Sequence, residues 1–134
     1  MIYFDSCAVL KFVKPEKESG ALREWRIGVP SGTEMVTSQL SLLEISRTLV
    51  RAGVDAQRVP YVTGQAVRGL YLLDVTSTVL TRARSYGIRR LGSLDAIHLA
   101  TADPFLAELT GFVTYDTELA AAATEVGLPV VAPG

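Results

Sequence analysis

The chain opens with Ile2-Tyr3-Phe4-Asp5-Ser6-Cys7-Ala8-Val9, and this stretch indicates the fold class. Three apolar residues in a row are typical of a short strand that is buried on both faces of a parallel sheet. The strand ends at Asp5, after which apolar residues recur at helical spacing up to Val13, and Pro15 closes the segment. A buried strand that leads directly into a helix predicts an α/β fold.

The same alternation of strands and helices continues along the chain. Further strands are predicted over residues 34–38, 70–75, 111–115 and 129–131. Helices are predicted over residues 19–27, 38–50, 55–68, 77–86 and 117–126, and a long helix is predicted from Leu94 toward Leu109, which Ser93 caps and Pro104 kinks or divides. This order predicts a single domain over residues 1–134, a three-layer fold with a central parallel sheet of four or five strands and helices on both faces.

The composition excludes several classes of protein. With 134 residues, 49% hydrophobic and 20% charged, the chain is long and apolar enough to bury one core, and disorder is excluded. No apolar run approaches the roughly 20 residues that cross a bilayer, and Asp5 interrupts the first run too early for a signal peptide. The single cysteine, Cys7, fits a reducing compartment and is interpreted as a small core residue. We therefore expect a soluble cytoplasmic protein without a membrane partner.

The net charge of −1 conceals an uneven distribution of charge. Residues 45–94 contain eight arginines and two acids, whereas residues 95–134 contain six acids and no lysine or arginine. One interpretation is an ordinary solvated surface of mixed charge. The other is a basic middle segment that meets phosphates, together with acids that gather cations.

Three acids lie next to predicted strand ends or helix starts. Asp5 and Asp116 each end a strand and precede a helix, and Asp95 lies in the first turn of a helix. Each has an ordinary structural explanation, because a carboxylate caps orphan amides or complements the positive end of a helix dipole. Glu44 is different, since it lies mid-helix among apolar residues on a narrow polar stripe that it shares with Arg47. A surface pair between Glu44 and Arg47 is its ordinary interpretation.

The acids indicate more together than singly. In parallel sheets, ligands bind beyond the carboxyl ends of the strands, and Asp5, Asp95 and Asp116 are all predicted at that edge. Carboxylates gathered at one site raise each other's pKa unless a cation neutralises them. Oxygen ligands favour Mg²⁺ or Mn²⁺, and the chain has neither a histidine cluster nor a cysteine pair for zinc. Such a site suits hydrolysis of a phosphodiester.

Four segments resemble motifs of the PIN-domain ribonucleases, and specifically of the VapC-type toxins of bacterial toxin–antitoxin pairs. They are Tyr3-Phe4-Asp5-Ser6-Cys7-Ala8-Val9-Leu10-Lys11, Ser41-Leu42-Leu43-Glu44-Ile45-Ser46-Arg47, Leu94-Asp95-Ala96-Ile97-His98-Leu99-Ala100-Thr101-Ala102 and Thr114-Tyr115-Asp116-Thr117-Glu118-Leu119-Ala120-Ala121-Ala122-Ala123. The segments come in the order of the family and span nearly the whole chain. Cys7 departs from the family pattern, because a small hydroxyl residue is frequent at that position.

The resemblance implies a metal-dependent endoribonuclease that acts as a toxin. Asp5, Asp95 and Asp116 would bind Mg²⁺ or Mn²⁺, and Glu44 would join as a fourth catalytic acid through a metal or an ordered water. A metal-activated water would then hydrolyse the RNA backbone. The resemblance also implies a cognate VapB-like antitoxin that covers the acids, and a homodimer.

Four further residues are candidates for supporting roles. Ser6 and Thr114 could contact the metal shell or its waters. Arg47 could position Glu44 or bind an RNA phosphate. His98, the only histidine, lies one helical turn after Asp95; it is interpreted as a hydrogen-bonded residue that orients Asp95 or packs against the sheet, with general acid catalysis as the alternative.

Three alternative functions differ in the residues that they require. A phosphoacceptor signalling domain needs an acidic pair after the first strand and a late lysine, but Asp5 has no acidic neighbour and no lysine follows Lys17. An inactive binding module of the same fold is expected to have lost an acid, and all four are present. A nuclease acting on DNA stays open, although the chain is short for a protein that grips a duplex.

Overall fold

The computed structural model describes all residues from 1 to 134 and contains one five-stranded parallel sheet. The strand order is β3-β2-β1-β4-β5, so the first strand is central. The strands are β1 (Ile2–Phe4), β2 (Met35–Ser38), β3 (Tyr71–Leu73), β4 (Gly111–Val113) and β5 (Val130–Val131). The predicted α/β class, the parallel sheet and the order of elements are confirmed.

Seven helices cover the two faces of the sheet. They are α1 (Ser6–Leu10), α2 (Ser19–Ile27), α3 (Gln39–Arg51), α4 (Val59–Ala66), α5 (Ser77–Ser85), α6 (Ser93–Ala102) and α7 (Thr117–Glu125). One buried cluster joins Ile2 and Phe4 to residues of α1 to α4, and the other joins Tyr3 to residues of α6 and α7. The alternation of side chains along β1 thus divides the core into two layers: Ile2 and Phe4 belong to the first core layer, and Tyr3 belongs to the second.

Strands β1 and β4 are held together by apolar packing and by backbone hydrogen bonds. Tyr3 of β1 pairs in register with Phe112 of β4, and their rings stack with centroids 5.3 Å apart. Both residues are fully buried. The pair therefore fixes β1 against β4, and with it the two chain segments that leave the carboxyl ends of these strands.

Two predicted helices are shorter than the sequence indicated. The helix expected over residues 55–68 begins at Val59, because the Asp55 carboxylate accepts the Gln57 amide and forms a turn before it. The long helix expected up to Leu109 ends at Ala102, and a separate 3₁₀ turn that contains Pro104 follows over Asp103–Phe105. Ser93 was expected to cap that helix, but Gly92 holds the cap position and Ser93 is the first helical residue.

The model contains no helix with the length and apolar character that crossing a bilayer requires.

Candidate active site

Asp5 lies at the carboxyl end of the central strand, where β1 separates β2 from β4. It is the cap residue of α1: its Oδ1 accepts the Ala8 amide at 2.8 Å, and its Oδ2 accepts the Thr114 hydroxyl at 2.5 Å. Only 2% of the residue is exposed. Burial raises the pKa of Asp5 above its usual value, although the two hydrogen bonds oppose that shift.

Asp116 lies in the short connection between β4, the neighbour of β1, and helix α7. Its Oδ1 accepts the Leu119 amide at 2.9 Å and caps α7, and its own amide donates to the Thr114 hydroxyl at 3.1 Å. The Thr114 hydroxyl thus accepts a hydrogen bond from the Asp116 amide and donates one to the Asp5 carboxylate. The capping roles expected for Asp5 and Asp116 are present, and they leave Oδ2 of Asp116 without a hydrogen-bond partner.

Asp95 is in the first turn of α6, and its carboxylate makes no hydrogen bond or ion pair. Partial burial, and then the charges of Asp116, Asp5 and Glu44, raise its pKa to about 6, while His98 opposes the shift. The charges of the three other acids thus act on Asp95. Its two oxygens are free to accept a new partner.

Glu44 reaches the site from α3. Its Oε1 lies 2.7 Å from His98 Nε2, and its side chain is 22% exposed. The expected pair with Arg47 is absent: Arg47 is exposed and makes no ion pair, so it does not position Glu44. Likewise His98 contacts Glu44 and Tyr3 rather than Asp95, which corrects the expectation that it orients Asp95.

No lysine or arginine pairs with any of the four acids, so the protein offers their carboxylates only hydrogen bonds, including that between His98 and Glu44. As arranged here, no three His, Cys, Asp or Glu side chains converge on one point as a closed set of ligands. Mg²⁺ typically takes one or two carboxylates and keeps several waters. Uncommitted oxygens on Asp95, Asp116 and Glu44, beside a buried Asp5, therefore suit such an open, hydrated cation site.

Comparison with known proteins identifies the family. The family model described as "PIN domain" matches residues 2–125. The chain belongs to the PIN domain family. Ribonuclease VapC47 of Mycobacterium tuberculosis is 39% identical over 137 aligned residues, covering 100% of this chain and 98% of that protein. The VapC relationship expected from the four motifs is thus confirmed.

Two solved structures share the fold of this PIN domain at low sequence identity. One is Mycobacterium tuberculosis VapC20, described as a Sarcin-Ricin loop cleaving toxin, with a TM-score of 0.73 and 16% identity over 91% of this chain and 95% of that one. The other is VapBC2 from Rickettsia felis bound to a DNA fragment from its promoter, with a TM-score of 0.71 and 12% identity over the full length of both chains.

The remaining candidate residues of the PIN domain differ in their surroundings. Thr114 is buried between two of the acids, and Ser6 is half-buried without a side-chain hydrogen bond. The expectation that Cys7 is a small core residue is wrong, because it is exposed beside Ser6 and Glu44. Loss of water around its sulfur and the charges of the acids raise the pKa of Cys7 to about 12, so the thiol stays protonated.

Tyr3 is the residue of this PIN domain that sequence reasoning missed. Its hydroxyl lies 2.6 Å from His98 Nδ1 inside the second core layer. A tyrosine within an apolar strand needs a buried hydrogen-bond partner, and that need is the signal that could have found the contact.

We expect Thr114→Val to lower the free energy of unfolding by about 1–3 kcal/mol, because a buried Asp5 oxygen and the Asp116 amide both lose a partner. Chemical denaturation in EDTA measures the change. Thr124→Val is the matched control, since that exposed hydroxyl only returns to the Ala120 carbonyl within α7; its effect should stay within about 0.5 kcal/mol. Equal losses in the two variants would contradict a special role for Thr114.

We expect the metal-free protein to lose stability, relative to Asp95→Asn, as the pH rises from 4 to 7.5. The pKa of Asp95 is about 6 in the folded chain against an ordinary 3.8, so the folded state binds the extra proton between these values. The contribution is present at low pH and is lost as pH rises through about 6. Half-burial reduces the full value, and we expect about 1–2 kcal/mol. Parallel pH profiles for the two proteins would contradict the raised pKa.

Proposed function

We propose that this PIN domain is a VapC-type endoribonuclease that depends on Mg²⁺ or Mn²⁺ and acts as the toxin of a toxin–antitoxin pair. The observation that supports it most strongly is that Asp5, Glu44, Asp95 and Asp116 lie around the carboxyl end of one sheet, where no lysine or arginine pairs with them and where the charges of the other three raise the pKa of Asp95. The full-length similarity to a ribonuclease supports the same activity.

Each acid has a defined part in the proposal. The cation would be held by Asp5, Asp95 and Asp116. The Ala8 amide and the Thr114 hydroxyl fix the Asp5 carboxylate, and the carboxylate oxygens of Asp95 and Asp116 that have no hydrogen-bond partner would bind the cation. Glu44 would act through its second oxygen, Oε2. A divalent cation held there would lower the pKa of a water and neutralise charge on the scissile phosphate.

Positive charge for an RNA backbone is available close to Asp95. The loop before α6 carries Arg89 and Arg90, which are both exposed, and Arg90 lies 3.7 Å from Glu118 at the start of α7. An exposed pair this loose exchanges readily for a phosphate. We assign these arginines to the substrate backbone, and Arg47, with no partner on the protein, to the same task.

The proposed partners are RNA, an antitoxin and a second copy of the chain. The Rickettsia felis structure is of a VapBC pair on promoter DNA, which supports a VapB-like antitoxin for this chain as well. VapC20 is described as a toxin that cleaves the Sarcin-Ricin loop, and this supports a folded RNA as the substrate class. The homodimer and action in the cytoplasm remain predictions.

The experiment is cleavage of a mixed RNA pool by purified protein in Mg²⁺, Mn²⁺ or EDTA, beside Asp5→Asn. Discrete fragments that require both the cation and Asp5 would establish the activity, and sequencing their ends would give the target. A parallel single-stranded DNA pool separates ribonuclease from deoxyribonuclease action. Absence of cleavage by folded protein, with RNA still bound, would favour an inactive binding module.

A further inference from the structure

The only histidine of the chain is buried between two partners. His98 is 1% exposed, with Nδ1 2.6 Å from the Tyr3 hydroxyl and Nε2 2.7 Å from Glu44 Oε1. Tyr3 is fully buried and is clamped against Phe112 on its other side. Tyr3, His98 and Glu44 thus form a continuous chain of hydrogen bonds that begins in the core. It ends at the acid cluster, by which we mean Asp5, Glu44, Asp95 and Asp116.

The chemistry of the partners fixes the direction of these hydrogen bonds. An ionised Glu44 carboxylate has no proton, so His98 Nε2 must carry the hydrogen and donate it. In a neutral imidazole Nδ1 then carries no hydrogen, and it accepts a hydrogen bond from the Tyr3 hydroxyl. A tyrosine hydroxyl carries its proton at neutral pH, so it can donate this bond.

The Glu44 carboxylate, unlike those of Asp5 and Asp116, is not held by a backbone amide of its own helix. Asp5 is held by Ala8 and Thr114, and Asp116 by the amide at the start of its own helix. Glu44 lies mid-helix on a long flexible side chain, and His98 is its only side-chain partner. Moreover, α3 packs with the first core layer and α6 with the second, so the bond joins helices from opposite faces.

We propose that His98 is a positioning residue, which Tyr3 orients from behind and which turns Glu44 so that Oε1 is held and Oε2 faces the acid cluster. This inference rests on the proposed cation-dependent activity. It assigns His98 no proton transfer to the substrate, because both ring nitrogens are already engaged inside the protein. Outer partners of this kind typically change metal affinity or activity by 10- to 100-fold when they are replaced.

The test compares two amides that imitate different nitrogens of the ring. His98→Gln places a donor near the position of Nε2 and can still reach Glu44, whereas His98→Asn reaches only toward Tyr3. We expect His98→Asn to weaken Mn²⁺ binding, measured by electron paramagnetic resonance without RNA, by about tenfold or more, and His98→Gln to recover most of it. Tyr3→Phe, which keeps the stacked ring, should fall between wild type and His98→Asn.

A double-mutant cycle separates positioning from general stability. In a Glu44→Ala background, His98→Asn should cause no further loss of Mn²⁺ affinity or RNA cleavage, because its target is gone. Leu109→Ala is the control: Leu109 is buried in the same layer, contacts none of the acids through a hydrogen bond, and should lower stability but leave Mn²⁺ affinity unchanged. Additive losses in the cycle would overturn the proposal.

The tautomer of His98 provides an independent test of the proposed hydrogen-bond directions. Long-range ¹H–¹⁵N correlation spectra of the wild-type protein should show Nε2 protonated and Nδ1 bare. The opposite tautomer would overturn the assignment whatever the cleavage results. If wild type neither binds Mn²⁺ nor cleaves RNA, the proposed function fails. If wild type does both and His98→Asn matches it, only the positioning role fails.

Discussion

Asp95→Asn should reduce RNA cleavage by about 100-fold or more while the protein remains folded. The substitution removes a charge and almost no volume, and several kcal/mol of electrostatic stabilisation correspond to two or three powers of ten in rate. Because Asp95 makes no hydrogen bond or ion pair with the protein, no buried group is left unpaired by the change. The measurement is the single-turnover cleavage rate in Mg²⁺ with equal concentrations of both proteins.

The control for this prediction is Glu125→Gln. Glu125 is an exposed acid at the far end of α7, the helix that Asp116 begins. Its replacement alters the net charge by the same amount but lies away from the acid cluster, so cleavage should stay within about twofold of wild type. Wild-type cleavage by Asp95→Asn would contradict the assignment of Asp95 to the proposed cation site.

Phe112→Ala should lower the free energy of unfolding by about 3–5 kcal/mol, which is a large share of the 5–15 kcal/mol typical of a domain. Phe112 is fully buried in the middle strand pair and stacks on Tyr3, so the change leaves a cavity at the centre of the second core layer. Chemical denaturation followed by circular dichroism measures the loss.

Ile27→Ala serves as the control for the cavity. Ile27 ends α2 and is 84% exposed, so its truncation should change stability by no more than about 0.5 kcal/mol. A loss below about 1 kcal/mol in Phe112→Ala would mean that the Tyr3–Phe112 stack contributes little to the packing.

The parts of this molecule that could be predicted from sequence are those with local causes. The apolar run at Ile2–Phe4 predicts β1, and an acid directly after a strand predicts both a helix cap and a place at the carboxyl edge. Pro104 was expected to kink or divide a helix, and it does so, because a proline cannot continue the hydrogen bonds of the preceding turn.

Contacts between distant elements could not be predicted in the same way. Glu44 was expected to share its stripe with Arg47, but it bonds His98, which is 54 positions away. Helical spacing describes neighbours on one helix and contains no information about which helix packs opposite. Cys7 was misplaced for a related reason: α1 is only five residues long, so its apolar spacing does not decide which face the core covers.

The position of β1 between β2 and β4 affects when the acid cluster can form during synthesis. Asp5 and the threonine that holds it are 109 positions apart, and β4, the second strand beside β1, is synthesised long after β1. At about 5–20 residues per second, roughly 5–20 s separate the two. Until β4 and α7 leave the ribosome, Asp5 stands without Asp116 or Thr114. The proposed nuclease site is therefore incomplete while the chain is still being made.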